Sequence, residues 1–282
     1  VARQHISLKS NQFRNNAPDS GASPSRLLRG EYEINFGPSR RPGKVPEREK
    51  PLISIIIRTY AGRTAWLRES VRSALNQTYP KLEIIVVEDG TSESADYIES
   101  LSSSLAAEQS IVYLTQKKLG KSHSGNLALQ AANGFLIGFL DDDDLLFPSH
   151  LEVLYSALDI DETAVGAYSL AWEAHSTTKS DHAYTEHYFE VPTHTRTPFI
   201  RSKLEQYNFL PIQSVLFRRE AYQEHGGFDA QRHYLEDWEL WLRYTRDKEL
   251  LFVPKITSMY RTPADPYERI LRVSHESRRS FN

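Results

Sequence analysis

Four consecutive aspartates, Asp141 to Asp144, follow the apolar run Phe135-Leu136-Ile137-Gly138-Phe139-Leu140. Successive like charges repel unless something positive sits among them, so the run points to a bound cation. Carboxylate oxygens suit Mg2+ or Mn2+, ions commonly held by one or two carboxylates together with substrate phosphates. A solvated acidic turn before the next helix is the plainer reading. Glu88-Asp89 precedes Gly90, whose freedom permits a tight turn; carboxylates there can accept hydrogen bonds from a nucleobase or ribose, and an ordinary Asp-Gly turn fits equally. Glu236-Asp237 stands at a helix start beside Trp238 and Trp241, where the helix dipole favours a carboxylate and indole rings desolvate it. There the alternative is a helix cap or first-turn stabiliser. Lys121 in Gly120-Lys121-Ser122 either neutralises a diphosphate or lies on the surface. It is not a P-loop lysine, because that motif needs a glycine where Thr115 stands.

The elements that hold these residues follow from hydrophobic periodicity. The run before the aspartates predicts a strand buried on both faces, as in a mostly parallel sheet, which sets the carboxylates at the edge where open α/β sheets bind ligands. Ile53 to Tyr60 and Leu82 to Val87 predict two more such strands, with Leu67, Val71, Ala74 and Leu75 marking the helix between them. A helix over 94–105, a short strand over 111–114 and a helix over 126–132 lead into the central strand. Beyond it the pattern predicts a helix on Leu151, Leu154 and Leu158, a strand over 164–172, a strand over 213–217, a helix over 218–224 closed by Gly226-Gly227, and a last strand over 250–254. Residues 173–209 have little periodicity and read as a surface excursion over the site. Their His175, His182, His187 and His194 do not have the spacing of a close metal pair.

A chain of 282 residues can bury a substantial core in one large or two ordinary domains. Three segments are expected: an extended basic linker or tail over 1–50, a catalytic domain over 51–262, and a C-terminal lid or interface segment over 263–282. The first fifty residues carry five more basic than acidic side chains and scattered prolines, a composition suited to reaching an adjoining domain or an anionic membrane surface. The formal net charge of −3 gives no sign of nucleic-acid binding. The sequence shows no run long enough for a transmembrane segment and no secretory signal pattern. With no cysteine, disulfides and thiol chemistry are excluded, which fits a reducing compartment. A cytoplasmic site, peripheral to the inner membrane at most, is the expectation. The start at Val1 and the single methionine, Met259, suggest an excerpt of a longer protein or a trimmed chain.

Taken in order, the first strand with Thr59-Tyr60, the second with Glu88-Asp89-Gly90, the central strand with its aspartates, and then Glu236-Asp237 closely resemble the family 2 glycosyltransferases of GT-A fold. The resemblance spans about residues 52 to 262. It implies a Rossmann-like α/β architecture, a mostly parallel sheet flanked by helices, and a site for a nucleoside-diphosphate sugar. Thr59, Tyr60, Glu88 and Asp89 would surround the nucleoside. Asp141 and Asp143 would form the Asp-x-Asp element that holds Mn2+ or Mg2+. Lys121, Asp141, Asp142, Glu236 and Trp238 would border the substrates, and Asp237 would be the catalytic base. Where family members often have Ala-Arg-Asn before the central strand, this chain has Ser124-Gly125-Asn126.

Elementary chemistry agrees with that implication. A divalent ion stabilises a departing nucleoside diphosphate, and a single carboxylate across the sugar can take the acceptor's proton, so that in-line attack inverts the anomeric centre. The expected activity is metal-dependent, inverting transfer, with a uridine nucleotide as donor head and a growing bacterial surface polysaccharide as acceptor. A sugar nucleotidyltransferase is the nearest rival, although Tyr60-Ala61-Gly62-Arg63-Thr64 lacks its run of glycines. A non-catalytic carbohydrate-binding domain is the reading from another class.

Overall fold

A computed structural model describes residues 49–178, 183–232 and 234–269. The expected basic tail lies outside the described residues except for Glu49 and Lys50, as do His182 and residues 270–282 of the expected lid.

The strands are β1 (Ile53–Tyr60), β2 (Leu82–Asp89), β3 (Gln109–Gln116), β4 (Leu136–Asp141), β5 (Leu145–Leu146), β6 (Gly166–Thr178), β7 (Tyr184–Glu190), β8 (Val215–Arg218) and β9 (Leu250–Pro263). They form one sheet in the order β3-β2-β1-β4-β8-β6-β9-β5, with β7 added to β6. β1 to β4 run parallel, β8 is antiparallel to β4 and β6, and β6 and β9 pair in parallel. The helices are α1 (Thr64–Leu75), α2 (Ala95–Leu101), α3 (Lys121–Ala131), α4 (His150–Ile160), α5 (Arg201–Leu204), α6 (Arg219–His225) and α7 (Glu236–Tyr244).

Strand alternation sorts the core into two layers. Ile53, Ile55 and Ile57 of β1 join Leu67 and Val71 of α1 and Leu151 and Leu154 of α4. Ile56 faces the other way, with Phe139 of β4, Leu129 of α3 and Leu240 and Trp241 of α7. The same alternation carries past the apolar positions to the polar ones at the strand ends. Arg58 continues the Ile56 face of β1 and Asp141 the Phe139 face of β4, and the two stand opposite in register. Glu88 and Asp89, adjacent on β2, therefore point into different layers.

Four local expectations are corrected. β3 is eight residues rather than four, and α3 begins at Lys121 rather than near Asn126. The expected surface excursion after Glu173 begins as sheet: β6 runs on to Thr178 and pairs antiparallel with β7. Polar residues alternate on both faces of this hairpin, so it lacks the apolar periodicity that marks a core strand. β9 continues through Pro254 to Pro263 instead of stopping, because its register against β6 shifts around Ser169 and Leu170 and accommodates the interruption.

Candidate active site

The carboxyl ends of β1, β2 and β4 meet the start of α7 around a cluster of opposite charges. Arg58 is buried. Its Nη2 donates to Asp141 Oδ1 at 2.7 Å and its Nη1 to Glu236 Oε1 at 3.4 Å. Lys121 completes the square, with its Nζ 2.9 Å from Asp141 Oδ2 and 3.3 Å from Glu236 Oε1. Burial opposes ionisation of Asp141, but Arg58 and Lys121 outweigh it and hold its carboxyl well below the usual range. Glu236 is likewise held down: burial is outweighed by Lys121 and Arg58.

The other aspartates have separate partners. Asp142 is buried, accepting from Thr59 Oγ1 at 2.6 Å and from Arg63 Nε at 2.7 Å. Burial pushes its carboxyl up to about 6, against the pull of Arg63. Arg63 Nη2 also lies 2.8 Å from Asp143 Oδ2, and the guanidinium rests over the rings of Trp66 and Tyr60. Asp143 Oδ2 accepts from Tyr184 Oη at 3.2 Å, which brings the β6–β7 hairpin over the cluster. Asp144 is buried and accepts the Arg261 N–H of β9, and burial beside Asp143 and Asp141 raises its pKa. The side chains of Asp141 and Asp143 are 20% and 28% exposed, whereas that of Asp142 is 5% exposed, so alternate members of the run reach the open edge.

Asp237, in the first turn of α7, has a different environment. Asn208 Nδ2 donates to its Oδ2 at 3.0 Å. Burial, followed by the neighbouring Glu236 charge, pushes its pKa up to about 6. Leu235 immediately before the helix has φ 55°, the one positive φ at a non-glycine among the described residues. A side chain in that left-handed region costs roughly 1–2 kcal/mol, so local strain accompanies the turn that presents Glu236 and Asp237.

Other predicted site residues have structural partners. Glu88 is buried and accepts from Thr91 and Tyr113 hydroxyls and from the N–H groups of Glu93 and Ser94. Asp89 accepts from Gln116 Nε2 at 2.8 Å and from the N–H groups of Leu119 and Gly120 at 2.9 Å, fixing the loop that delivers Lys121. Thr59 anchors Asp142. Tyr60 is 53% exposed at the end of β1. Trp238 is half-buried: its indole N–H donates to Leu204 O at 2.6 Å and its ring packs against the core.

The Ser124-Gly125-Asn126 variation has a packing reason. A Cβ at Gly125 would meet the Phe228 ring at 2.4 Å, and Asn126 clasps Phe228 by hydrogen bonds to both its N–H and its C=O. Phe228 in turn packs against Arg58. Arg58, Arg63, Asn208 and Tyr184 are the residues the sequence did not single out. For Arg58 a signal existed, since an arginine inside a β-branched, doubly buried strand must have buried partners. Of the expected histidines, His175 is buried with Nε2 2.9 Å from Glu190 Oε1. Among the described residues, Glu173, His175 and Glu190 are the one group of three such side chains whose ligand atoms lie within 4.8 Å of one another. Arg269 Nη1 lies 2.8 Å from His175 Nδ1 and can only donate, so the imidazole proton sits on Nε2 and leaves no lone pair there for a metal.

An α/β sheet with its acidic residues at these strand ends is the GT-A arrangement, and the comparisons agree. The sequence profile of glycosyl transferase family 2 matches residues 54–226, and the chain belongs to that family of transferases. An uncharacterized glycosyltransferase of Rickettsia prowazekii is 30% identical over 209 residues, covering 72% of this chain and 61% of the relative. The chain thus spans about three fifths of the length of that relative. A mannosyltransferase from Pyrobaculum calidifontis, solved with GDP-Man and Mn2+, superposes with a TM-score of 0.57 at 18% identity, covering 89% of this chain and 66% of that one. S. aureus TarS 1-349 in complex with UDP-GlcNAc superposes with a TM-score of 0.54 at 17% identity, over 77% of this chain and 60% of that one. No helix among the described residues is long and apolar enough to cross a membrane.

Proposed function

We propose that this site transfers a sugar, with inversion, from a uridine-diphosphate sugar to a hydroxyl of a saccharide acceptor, in the building of a bacterial surface polysaccharide. The observation that carries the reading is the short bridge from Asp141 through Lys121 to Glu236, which brings the aspartate run and Asp237 to the same sheet edge. One half of the site is suited to a donor's diphosphate and the other to an acceptor's proton.

The donor set at the run fits a hard divalent ion. Asp141 and Asp143 stand at the open edge, Asp141 with its oxygens on Arg58 and Lys121 and Asp143 with Oδ2 on Arg63 and Tyr184, so an ion held there would take over an oxygen from Lys121 and complete its shell with donor phosphates. When bound, Mn2+ or Mg2+ supplies Lewis-acid stabilisation to the leaving diphosphate. The chain's own residues do the remainder. Lys121 brings positive charge beside the diphosphate, and Tyr60 offers an exposed ring for stacking on the base. Asp89 holds the loop that aims Lys121, while Glu88 holds the loop before α2. Asp237 takes the acceptor hydroxyl's proton on a carboxylate oxygen as that hydroxyl attacks. Glu236 is bound to two cations and is the weaker base, which leaves Asp237 as the carboxylate of the pair with no cation on it and favours direct displacement over a covalent intermediate.

The Mn2+ in the Pyrobaculum neighbour and the UDP-GlcNAc in TarS support the choice of ion and donor head. A screen of nucleoside-diphosphate sugars against saccharide acceptors, with Mn2+ and with EDTA, tests the reading. Release of UDP with Mn2+ and its loss in EDTA is expected. Full turnover in metal-free EDTA would remove the ion from the account, and release of pyrophosphate would favour a nucleotidyltransferase.

A further inference from the structure

Asn208 lies between α5 and β8, far in sequence from every motif, yet its amide reaches the reactive end of α7. Its two polar atoms are engaged on opposite sides: Oδ1 accepts the Leu210 N–H at 3.1 Å and Nδ2 donates to Asp237 Oδ2 at 3.0 Å. The Leu210 contact fixes which way the amide faces, since an N–H can be met only by the oxygen, and this leaves the NH2 group for Asp237.

We infer that Asn208 is a positioning residue, whose amide pins Asp237 Oδ2 so that Oδ1 is presented to the acceptor hydroxyl. The inference rests on the reading of Asp237 as the base. A carboxylate with one oxygen fixed loses its freedom to rotate, so the proton-accepting oxygen is already in place when the acceptor arrives. The bond also favours the charged form, which burial and Glu236 oppose. The charged groups around Asp237 are Glu236 on its own helix, Lys121 on α3 and Arg58 on β1. These two cations are both committed to Asp141 and Glu236, while Asn208 is the neutral side chain that donates to Asp237 directly, beside the Trp238 N–H.

Substitution by aspartate separates the two roles of this side chain. Asn208→Asp keeps an oxygen for the Leu210 N–H but, when ionised, sets a like charge against Asp237 in place of the donor, and Asn208→Ala loses both contacts. Steady-state transfer is measured for both variants and for Asp237→Asn, with thermal melting and UDP titration alongside. In Asn208→Asp, kcat should fall about 10²-fold, the scale expected for a misplaced catalytic group. UDP affinity should stay near that of the parent, and Tm should do so at acidic pH, where the new carboxylate or Asp237 is protonated. In Asn208→Ala the acidic limb of the pH–rate profile should move upward from about 6. Parental kcat in Asn208→Asp would overturn the assignment, and so would a loss that follows Tm alone. Undiminished transfer in Asp237→Asn would instead remove the base itself, whatever the Asn208 variants do.

Discussion

Two acidic pairs, Glu88-Asp89 and Glu236-Asp237, have the same residue types in the same order and opposite circumstances. The first pair is saturated by neutral donors, four around Glu88 and three around Asp89. Its hydrogen bonds outweigh burial and lower the Glu88 pKa. In the second pair Glu236 is neutralised by two cations, while Asp237 has one side-chain donor and the Trp238 N–H, and a pKa pushed up to about 6. A carboxylate that is well supplied with donors is committed to the fold, and one that is buried with few of them retains proton affinity near neutral pH. Residue type does not distinguish the pairs, but the supply of donors does.

This contrast can be broken by stability measurements. Glu88→Gln replaces a carboxylate by a group with one acceptor oxygen and an NH2 turned toward other donors. Each buried donor left unmet costs about 1–3 kcal/mol, so urea unfolding should report a loss of at least that size. Unchanged stability would mean that these bonds are not holding the β2–α2 loop.

A smaller effect of opposite sign is expected at Asp237. Its folded pKa is raised above the unfolded value, so ionisation disfavours the folded state as pH rises above about 4, fully so above about 6. Asp237→Asn removes that penalty. The variant should melt higher than the parent at pH 8, and the difference should shrink toward zero below pH 4. A variant that melts lower at pH 8 would show that the charge is satisfied in the fold and that the contrast with Glu88 is false.

The half of the molecule built from β1 to β4 was legible in the sequence, because doubly buried parallel strands are written as apolar runs and their ends as abrupt polar residues. The aspartate run was singled out in this way, Lys121 from Gly120-Lys121-Ser122, and Glu236-Asp237 from a helix start beside two indoles. The partners were not. Asn208, Tyr184 and Arg63 reach the site from a loop, a hairpin and a turn, and no period links them to the carboxylates they meet. The β6–β7 hairpin went unread because its polar residues hide the alternation, and a helical wheel did not tell that the Trp238 indole N–H meets a backbone carbonyl. Asp89 shows the same limit, since an Asp-Gly turn gives no hint that both carboxylate oxygens are taken by backbone N–H groups and Gln116.

The central claim, that Asp237 and not Glu236 takes the acceptor's proton, is tested most directly by paired steady-state kinetics of Asp237→Asn and Glu236→Gln with donor and Mn2+ saturating. Loss of a positioned general base lowers rate by roughly 10²–10⁴-fold, and Asp237→Asn should fall in that range with UDP affinity unchanged. Glu236→Gln should lose much less kcat, its effect appearing chiefly in donor binding through Lys121. If the glutamine variant loses transfer and the asparagine variant keeps it, the assignment is contradicted.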